Sequence, residues 1–225
     1  MNEPLLTLQQ IHLELPSTAK AILHDINYHV FPEDFIILLG SNGSGKSSLL
    51  KLIDRRYQQT KGKIILHGKQ KIITLTQNSS DSLFTNLSIL ENCLLLLKKK
   101  ADFFAEYLHE FNNNLSTKLD TKVAKLSGGE QQALVLALSV LQSPSILLLD
   151  EHTSALDPHA AKRLMEITAK VISDKKITCI LCTHNLDIAL NYGNRILALQ
   201  NGKIHKQIDT ETKSKTKRTM LLGLY

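Results

Sequence analysis

Three stretches of this chain combine residue types and spacings that imply chemistry. Gly40-Ser41-Asn42-Gly43-Ser44-Gly45-Lys46-Ser47 fits the pattern GxxxxGK[ST]. Such a loop lets successive backbone N–H groups face phosphate oxygens, because its glycines put no side chain in the way. Lys46 would then meet the β- and γ-phosphates of a nucleotide, and the Ser47 hydroxyl would bind Mg²⁺, with Ser48 continuing the cradle. On its own, this loop leaves kinases, GTPases and motors open. The second stretch, Ile146-Leu147-Leu148-Leu149-Asp150-Glu151, ends an apolar run on two carboxylates. Asp150 is suited to hold Mg²⁺, directly or through water, and Glu151 to act on the water that attacks a γ-phosphate. Two acids that merely solubilise a strand end are the plainer alternative. The third stretch is Leu126-Ser127-Gly128-Gly129-Glu130-Gln131-Gln132. Serine followed three residues later by Glu130 is a capping box, so Ser127 should open a helix whose unpaired N–H groups and positive dipole end attract anions.

Strand, glycine loop and helix are the elements that must position Lys46. The apolar run Phe35–Leu39 precedes the loop and the helix-compatible Ser48–Ile53 follows it. Leu5–Leu8, Ile22–Val30, Gly62–His67 and Lys71–Thr76 read as strands, and a mainly antiparallel sheet is expected over the first 75 residues outside the loop. From Ser82 to Val123 the pattern turns helical, with Leu87, Leu90, Leu94 and Leu97 on one face, then Phe104, Leu108 and Phe111, until Asn112-Asn113-Asn114 breaks it. The helix opened by Ser127 carries Leu134, Leu138 and Leu141 and ends before Pro144. Ile146–Leu149 is continuously apolar, as a parallel strand buried on both faces requires. A helix over Pro158–Ser173, a strand over Ile177–Cys182 and the pair Arg195–Gln200 and Lys203–Ile208 complete the pattern.

The 225 residues allow one full core with a subdomain inserted in it, and 43% hydrophobic with 21% charged residues is ordinary for a globular chain. The longest uncharged apolar runs are too short to cross a bilayer, and no basic leader with an apolar stretch opens the chain. A cytoplasmic protein, or one held to a membrane by a partner, is expected. The formal charge of +6 is spread along the chain. Its densest clusters, Lys98-Lys99-Lys100 and Lys213, Lys215, Lys217 with Arg218, read as a solvated face and a loose tail, with attraction to an anionic inner leaflet as the functional alternative. Cys179 and Cys182 have CxxC spacing on a strand, where residues three apart face opposite ways, so both are expected in the core.

With the signature Leu126–Gln132 in place, the sequence resembles the ABC ATPase family, whose motifs it carries in order over nearly the whole chain. Gln77 matches the Q-loop glutamine, Ser154-Ala155-Leu156-Asp157 the D-loop, and His184 the switch histidine. The resemblance implies an α/β fold: a P-loop NTPase core of RecA-like type, an N-terminal antiparallel β subdomain and an inserted α-helical signature subdomain. A single domain over 1–225 is expected, divided as 1–77, 78–143 and 144–225. It also implies an ATPase using ATP and Mg²⁺. Lys46, Gln77, Glu151 and His184 would be catalytic, and Ser47, Gln77 and Asp150 would hold the metal. Ser127, Gly128, Gly129 and Asp157 would serve the nucleotide of a second copy in a two-fold sandwich. Three departures stand out: His152 where proline is usual, Ala133 where arginine is common, and no aromatic near Leu15 to stack on adenine. The stretches 150–158, 132–134 and 192–195 look like a group of bacterial importer ATPases that work with a separate permease and an extracytoplasmic solute-binding protein. Localisation on the inner face of the membrane through the permease follows from the resemblance. No nucleic acid is expected as partner, although a soluble ABC ATPase acting on nucleic acid or ribosomes is the alternative. A P-loop kinase would leave the signature and His184 unexplained.

Overall fold

The computed structural model describes residues 3–15, 20–78, 82–213, 215 and 218–222. In chain order the elements are β1 (Leu6–Leu15), β2 (Lys20–Val30), β3 (Phe35–Leu39), α1 (Lys46–Ile53), β4 (Lys61–Leu66), β5 (Ile72–Leu75), α2 (Ile89–Leu96), α3 (Ala101–His109) and α4 (Asn113–Thr117). There follow α5 (Gly128–Leu141), β6 (Ile146–Asp150), α6 (Pro158–Asp174), β7 (Thr178–Thr183), α7 (Leu186–Asn191), β8 (Arg195–Gln200), β9 (Lys203–Ile208), α8 (Thr210–Lys213) and α9 (Arg218–Leu222). They fall into two units. The first takes Met1–Thr74, Ser145–Asp150 and Ile172–Tyr225, and the second takes Leu75–Pro144 and Glu151–Val171.

The first unit holds two sheets. Strands β2-β1-β4 form an antiparallel one, and β5-β6-β7-β3-β8-β9 a larger one in which β6, β7, β3 and β8 run parallel. Every residue of β3 is buried, as an interior parallel strand requires. One hydrophobic cluster joins Leu6, Leu8, Ile11 and Leu13 of β1 to Leu23, Ile26, Tyr28 and Val30 of β2, and includes Leu49, Leu50, Leu52 and Ile53 of α1. The spacing of those β1 residues slips by one between Leu8 and Ile11. A strand of strict period two would turn Ile11 and Leu13 outward. The register shift there, with Gln10 at φ 51° and its N–H donating to Asn27 Oδ1 at 2.8 Å, restores them to the core. Asp25, at φ 52°, sits at the matching slip in β2. Arg195 pins the start of β8, paired with Asp34 at 2.7 Å and lying over the Tyr28 ring.

One expectation for this unit is corrected. The strand expected over Lys71–Thr76 does not join Gly62–His67 in the antiparallel sheet; β5 lies at the edge of the larger sheet beside β6. The Lys71 carbonyl accepts from the N–H groups of Ser145 and Ile146 at 2.9 and 3.2 Å, so the chain is captured where β6 begins. An apolar parallel strand needs its open edge covered.

In the second unit, Ser88 and Glu91 form a full capping box that starts α2 at Ile89. The buried residues of α2 are Ile89, Asn92 and Cys93, so the expected Leu87/Leu90/Leu94 stripe is not the inner face. The cap sets the phase, and Ile89 with Cys93, four apart, turn inward. Phe104, Leu108 and Phe111 are buried as their spacing implies. Helix α5 is buried along almost its whole length, and Tyr107 donates to its Ala137 carbonyl at 2.7 Å. No helix among the described residues is long and apolar enough to cross a membrane.

Candidate functional site

In the first unit, the parallel strands bring several of the singled-out residues to one edge. Leu39 pairs in register with Thr183, and Asp150 with Cys182. The loop starting at Gly40, the Asp150 carboxylate and His184 therefore emerge from adjacent strands at their C-terminal ends, where ligands of open α/β sheets bind.

Loop closeness at this edge depends on glycine. A Cβ on Gly40 would lie 2.4 Å from the Leu199 carbonyl oxygen and 2.6 Å from Ser44 Oγ. Gly45 has φ 106° and forms the N-terminal cap of α1, so the first turn of the helix opens directly onto the loop. Lys46 is only 5% exposed, and its ammonium folds over the loop, donating to the Gly40 and Ser41 carbonyls at 2.7 and 3.0 Å. The Ser44 hydroxyl is buried without a hydrogen-bond partner. A buried ammonium over bare glycine backbone beside an unsatisfied hydroxyl fits a polyanion such as a nucleotide phosphate chain. Ser48 sits half-buried at the third position of α1.

Ser47 donates its hydroxyl to Asp150 Oδ1 at 2.9 Å. A hydroxyl and a carboxylate oxygen in contact, beside a phosphate-shaped loop, are hard donors of the kind Mg²⁺ takes. His184 is exposed just past β7 on a rigid turn. Thr183 Oγ1 accepts from Asn185 N–H at 3.0 Å, and Asn185 Oδ1 accepts from Asp187 and Ile188 N–H at 2.8 and 3.3 Å, capping α7.

The second unit holds the remaining residues. Ser127 caps α5 in a reciprocal box: its hydroxyl accepts from Glu130 N–H at 3.3 Å, and its N–H donates to Glu130 Oε2 at 2.9 Å. Burial works against the Glu130 carboxylate, but Lys118 at 2.9 Å and the Ser127 donors outweigh it and hold its pKa at about 2. Gly128 and Gly129 follow without side chains at the helix opening, Gly129 facing Ala160. Asp157 caps α6 by accepting from Ala160 and His159 N–H, both at 3.0 Å, and those bonds lower its pKa. Ser127, Gly129, Ala133 and Asp157 share one groove with Arg163. Gln77 is exposed at its side chain, while its carbonyl accepts from Gln132 Nε2 at 2.7 Å.

Glu151 has φ 49°, uncommon for a residue with a side chain, and is held there because Ser154 donates to its carbonyl from both N–H (2.9 Å) and hydroxyl (2.8 Å). The next residue, His152, is 2% exposed. Thr168 gives its only hydroxyl proton to the Leu164 carbonyl at 2.7 Å, so it accepts from His152 Nε2–H at 3.2 Å. That assigns the tautomer and leaves Nδ1 buried without a partner. Burial pushes the imidazole pKa down to about 4.

The Gln132–Gln77 and His152–Thr168 contacts are not announced by the sequence, although Gln132 and His152 stand out in it. Their signal was polarity in the wrong place: a glutamine in a helix otherwise apolar all round, and a histidine where the motif usually has proline. The Leu15 side chain and residues 16–19, near which the family's adenine-stacking aromatic would fall, lie outside the described residues.

The profile of a family described as ABC transporter matches residues 23–154. A tyrosine transport ATP-binding protein of Clostridioides difficile is 33% identical over 224 residues, covering 89% of this chain and 88% of its own. A general L-amino acid transport ATP-binding protein of Rhizobium johnstonii is 31% identical, over 83% of this chain and 79% of its own. Among solved structures, cbiO1 of Clostridium perfringens, part of the ABC transporter complex cbiONQ, superposes with a TM-score of 0.82. It covers 97% of this chain and 93% of its own at 20% identity, which is a likeness of fold.

Proposed function

The chain belongs to the ABC transporter family as an ATP-binding, ATP-hydrolysing subunit, and from that premise we propose that it powers solute import through a separate membrane permease. The observation that carries the reading is the sheet edge where the loop and helix start bearing Lys46 and Ser47, the Asp150 carboxylate that Ser47 meets, and His184 follow the C-terminal ends of neighbouring parallel strands. Relatives named for tyrosine and general L-amino acid transport support a transport role, and the likeness of 150–158, 132–134 and 192–195 to importer ATPases favours import, with an extracytoplasmic protein delivering the solute.

In this reading, Gly40–Ser47 and Ser48 bind the ATP phosphates, and Lys46 turns from its own loop carbonyls to the β- and γ-oxygens. Ser47 and Asp150, with Gln77, would hold Mg²⁺, which neutralises charge on those phosphates when bound. Glu151 takes the proton of the attacking water, and His184 contacts the γ-phosphate side. Two copies close over two nucleotides, each supplying Ser127, Gly128, Gly129 and Asp157 to the nucleotide of the other. Closure and reopening pull on the permease through the segment around Gln77 and 82–90. The protein sits on the inner face of the membrane by that contact.

The test is transport in proteoliposomes containing the permease, with ATP on the side bearing this chain and binding protein on the other. ATP-dependent movement of solute toward the ATP side is expected. Movement the opposite way would make the protein an exporter subunit and overturn the import reading.

A further inference from the structure

Helix α2 ends in a way that neither nucleotide chemistry nor folding of the second unit requires. Leu94, Leu95 and Leu96 are 41%, 59% and 42% exposed in succession at its C-terminus. After the half-buried Leu97 come Lys98, Lys99 and Lys100, all exposed and none in an ion pair among the described residues. Phe103, at the start of α3, is 39% exposed, and the Lys99 ammonium lies 5.9 Å from its ring centroid. Across 98–103 three lysines stand against one acid, Asp102.

Three consecutive helical residues span about 200° of the circumference. A groove in a folded partner covers one stripe of a helix, with side chains three and four apart. Leucines pointing in three directions from a helix end are covered together only by a medium that surrounds it. The apolar boundary of a bilayer is such a medium, and lysines placed immediately behind the leucines would meet its headgroups while their stems run along apolar surface. We propose that the α2–α3 corner inserts shallowly into an anionic bilayer, giving this chain a lipid contact of its own. The contact goes beyond the transport reading and does not depend on it.

The chain contains no tryptophan, so Leu95→Trp places a single fluorophore at the tip. The purified full-length protein is mixed with vesicles of phosphatidylcholine alone, or of phosphatidylcholine with phosphatidylglycerol, and followed by flotation and by tryptophan emission. Binding and a blue shift with the anionic vesicles only are expected. Replacing Lys98, Lys99 and Lys100 by Gln should weaken partitioning on the order of 100-fold at moderate salt. Leu95→Ser with Leu96→Ser should weaken it by at least about tenfold, and ATPase activity in solution should stay unchanged in both. A wild-type protein that ignores anionic vesicles overturns the proposal. So does binding that survives the serine changes but vanishes when Lys213, Lys215, Lys217 and Arg218 become Gln, because the tail would then be the attractor. An emission shift of the Leu95→Trp variant seen only in vesicles carrying the permease, whatever their lipid charge, would assign the corner to a protein partner and overturn it as well.

Discussion

The side-chain amide of Gln132 donates to the backbone carbonyl of Gln77 at 2.7 Å, across 55 residues of sequence. Gln132 belongs to the helix that Ser127 opens, so the anion-attracting end of α5 and the segment carrying Gln77 share a rigid tie. The other half of the same amide, Oε1, is buried without a partner. Gln132→Leu therefore removes one good hydrogen bond and one unsatisfied acceptor together, and the two effects offset to within about 1 kcal/mol of stability. We expect near-normal urea unfolding with ATP hydrolysis reduced several-fold, because Gln77 loses its anchor. Unchanged hydrolysis in a folded variant would show that the tie serves packing alone.

Lys46→Ala should lower affinity for Mg·ATP by roughly 100-fold or more, since a buried charged donor to the phosphates is lost. The ammonium also closes the loop on Gly40 and Ser41. Lys46→Met, which refills the volume, should therefore be as defective as Lys46→Ala. Calorimetric titration separates the cases, and recovery of binding in the methionine variant would mean that loop shape, not charge, governs the site.

For Glu151→Gln we expect normal ATP binding, hydrolysis at least ~100-fold slower, and a dimer in the presence of ATP. Glutamine keeps the shape and the hydrogen bonds that Ser154 gives to the residue 151 carbonyl, but takes up no proton. Adding Ser127→Arg should cancel the dimer, because a bulky group replaces the cap at the closing surface. Light scattering with gel filtration reads both. Full ATPase activity in Glu151→Gln would remove Glu151 from the mechanism.

His152 makes stability depend on pH in a defined window. Its folded pKa is depressed to about 4 by burial, below the ~6.5 of an unfolded histidine. The unfolded chain thus binds the proton first, and stability present above pH ~6.5 drains away as pH falls toward 4, by up to about 3 kcal/mol. Glu130, with its pKa held at about 2, weakens the fold only in more acid solution. Comparing urea midpoints at pH 7.5 and 5 for the wild type and His152→Pro isolates the histidine. The proline variant should lose less stability between the two; equal losses would mean that His152 does not stay neutral in the folded state.

Local signals were the legible ones. The glycine loop, the Ser127–Glu130 capping box and the apolar runs of β3 and β6 each announce themselves within a few residues, because their causes are steric or hydrogen-bonded over one turn. The Ser88–Glu91 box was equally local, yet the leucine stripe across it drew the helix phase wrongly. The capture of β5 by β6 and the slips at Gln10 and Asp25 are pairings between distant segments, and a one-residue slip inverts which face a strand buries. Gln132 meeting Gln77 is likewise a product of folding rather than of spacing.

All three cysteines are buried as thiols, Cys93 within the second unit and Cys179 and Cys182 on β7 of the first. Burial pushes the Cys93 thiol up to about 12, and raises Cys179 as well. A thiol reagent in neutral solution therefore finds almost nothing to attack until the surrounding structure opens. The chain carries, without any engineered label, a separate clock for each unit: modification of Cys93 times the opening of one, and modification of the β7 pair times the opening of the other. If ATP slows one clock and not the other, the nucleotide is rigidifying its own half of the molecule and leaving the rest loose.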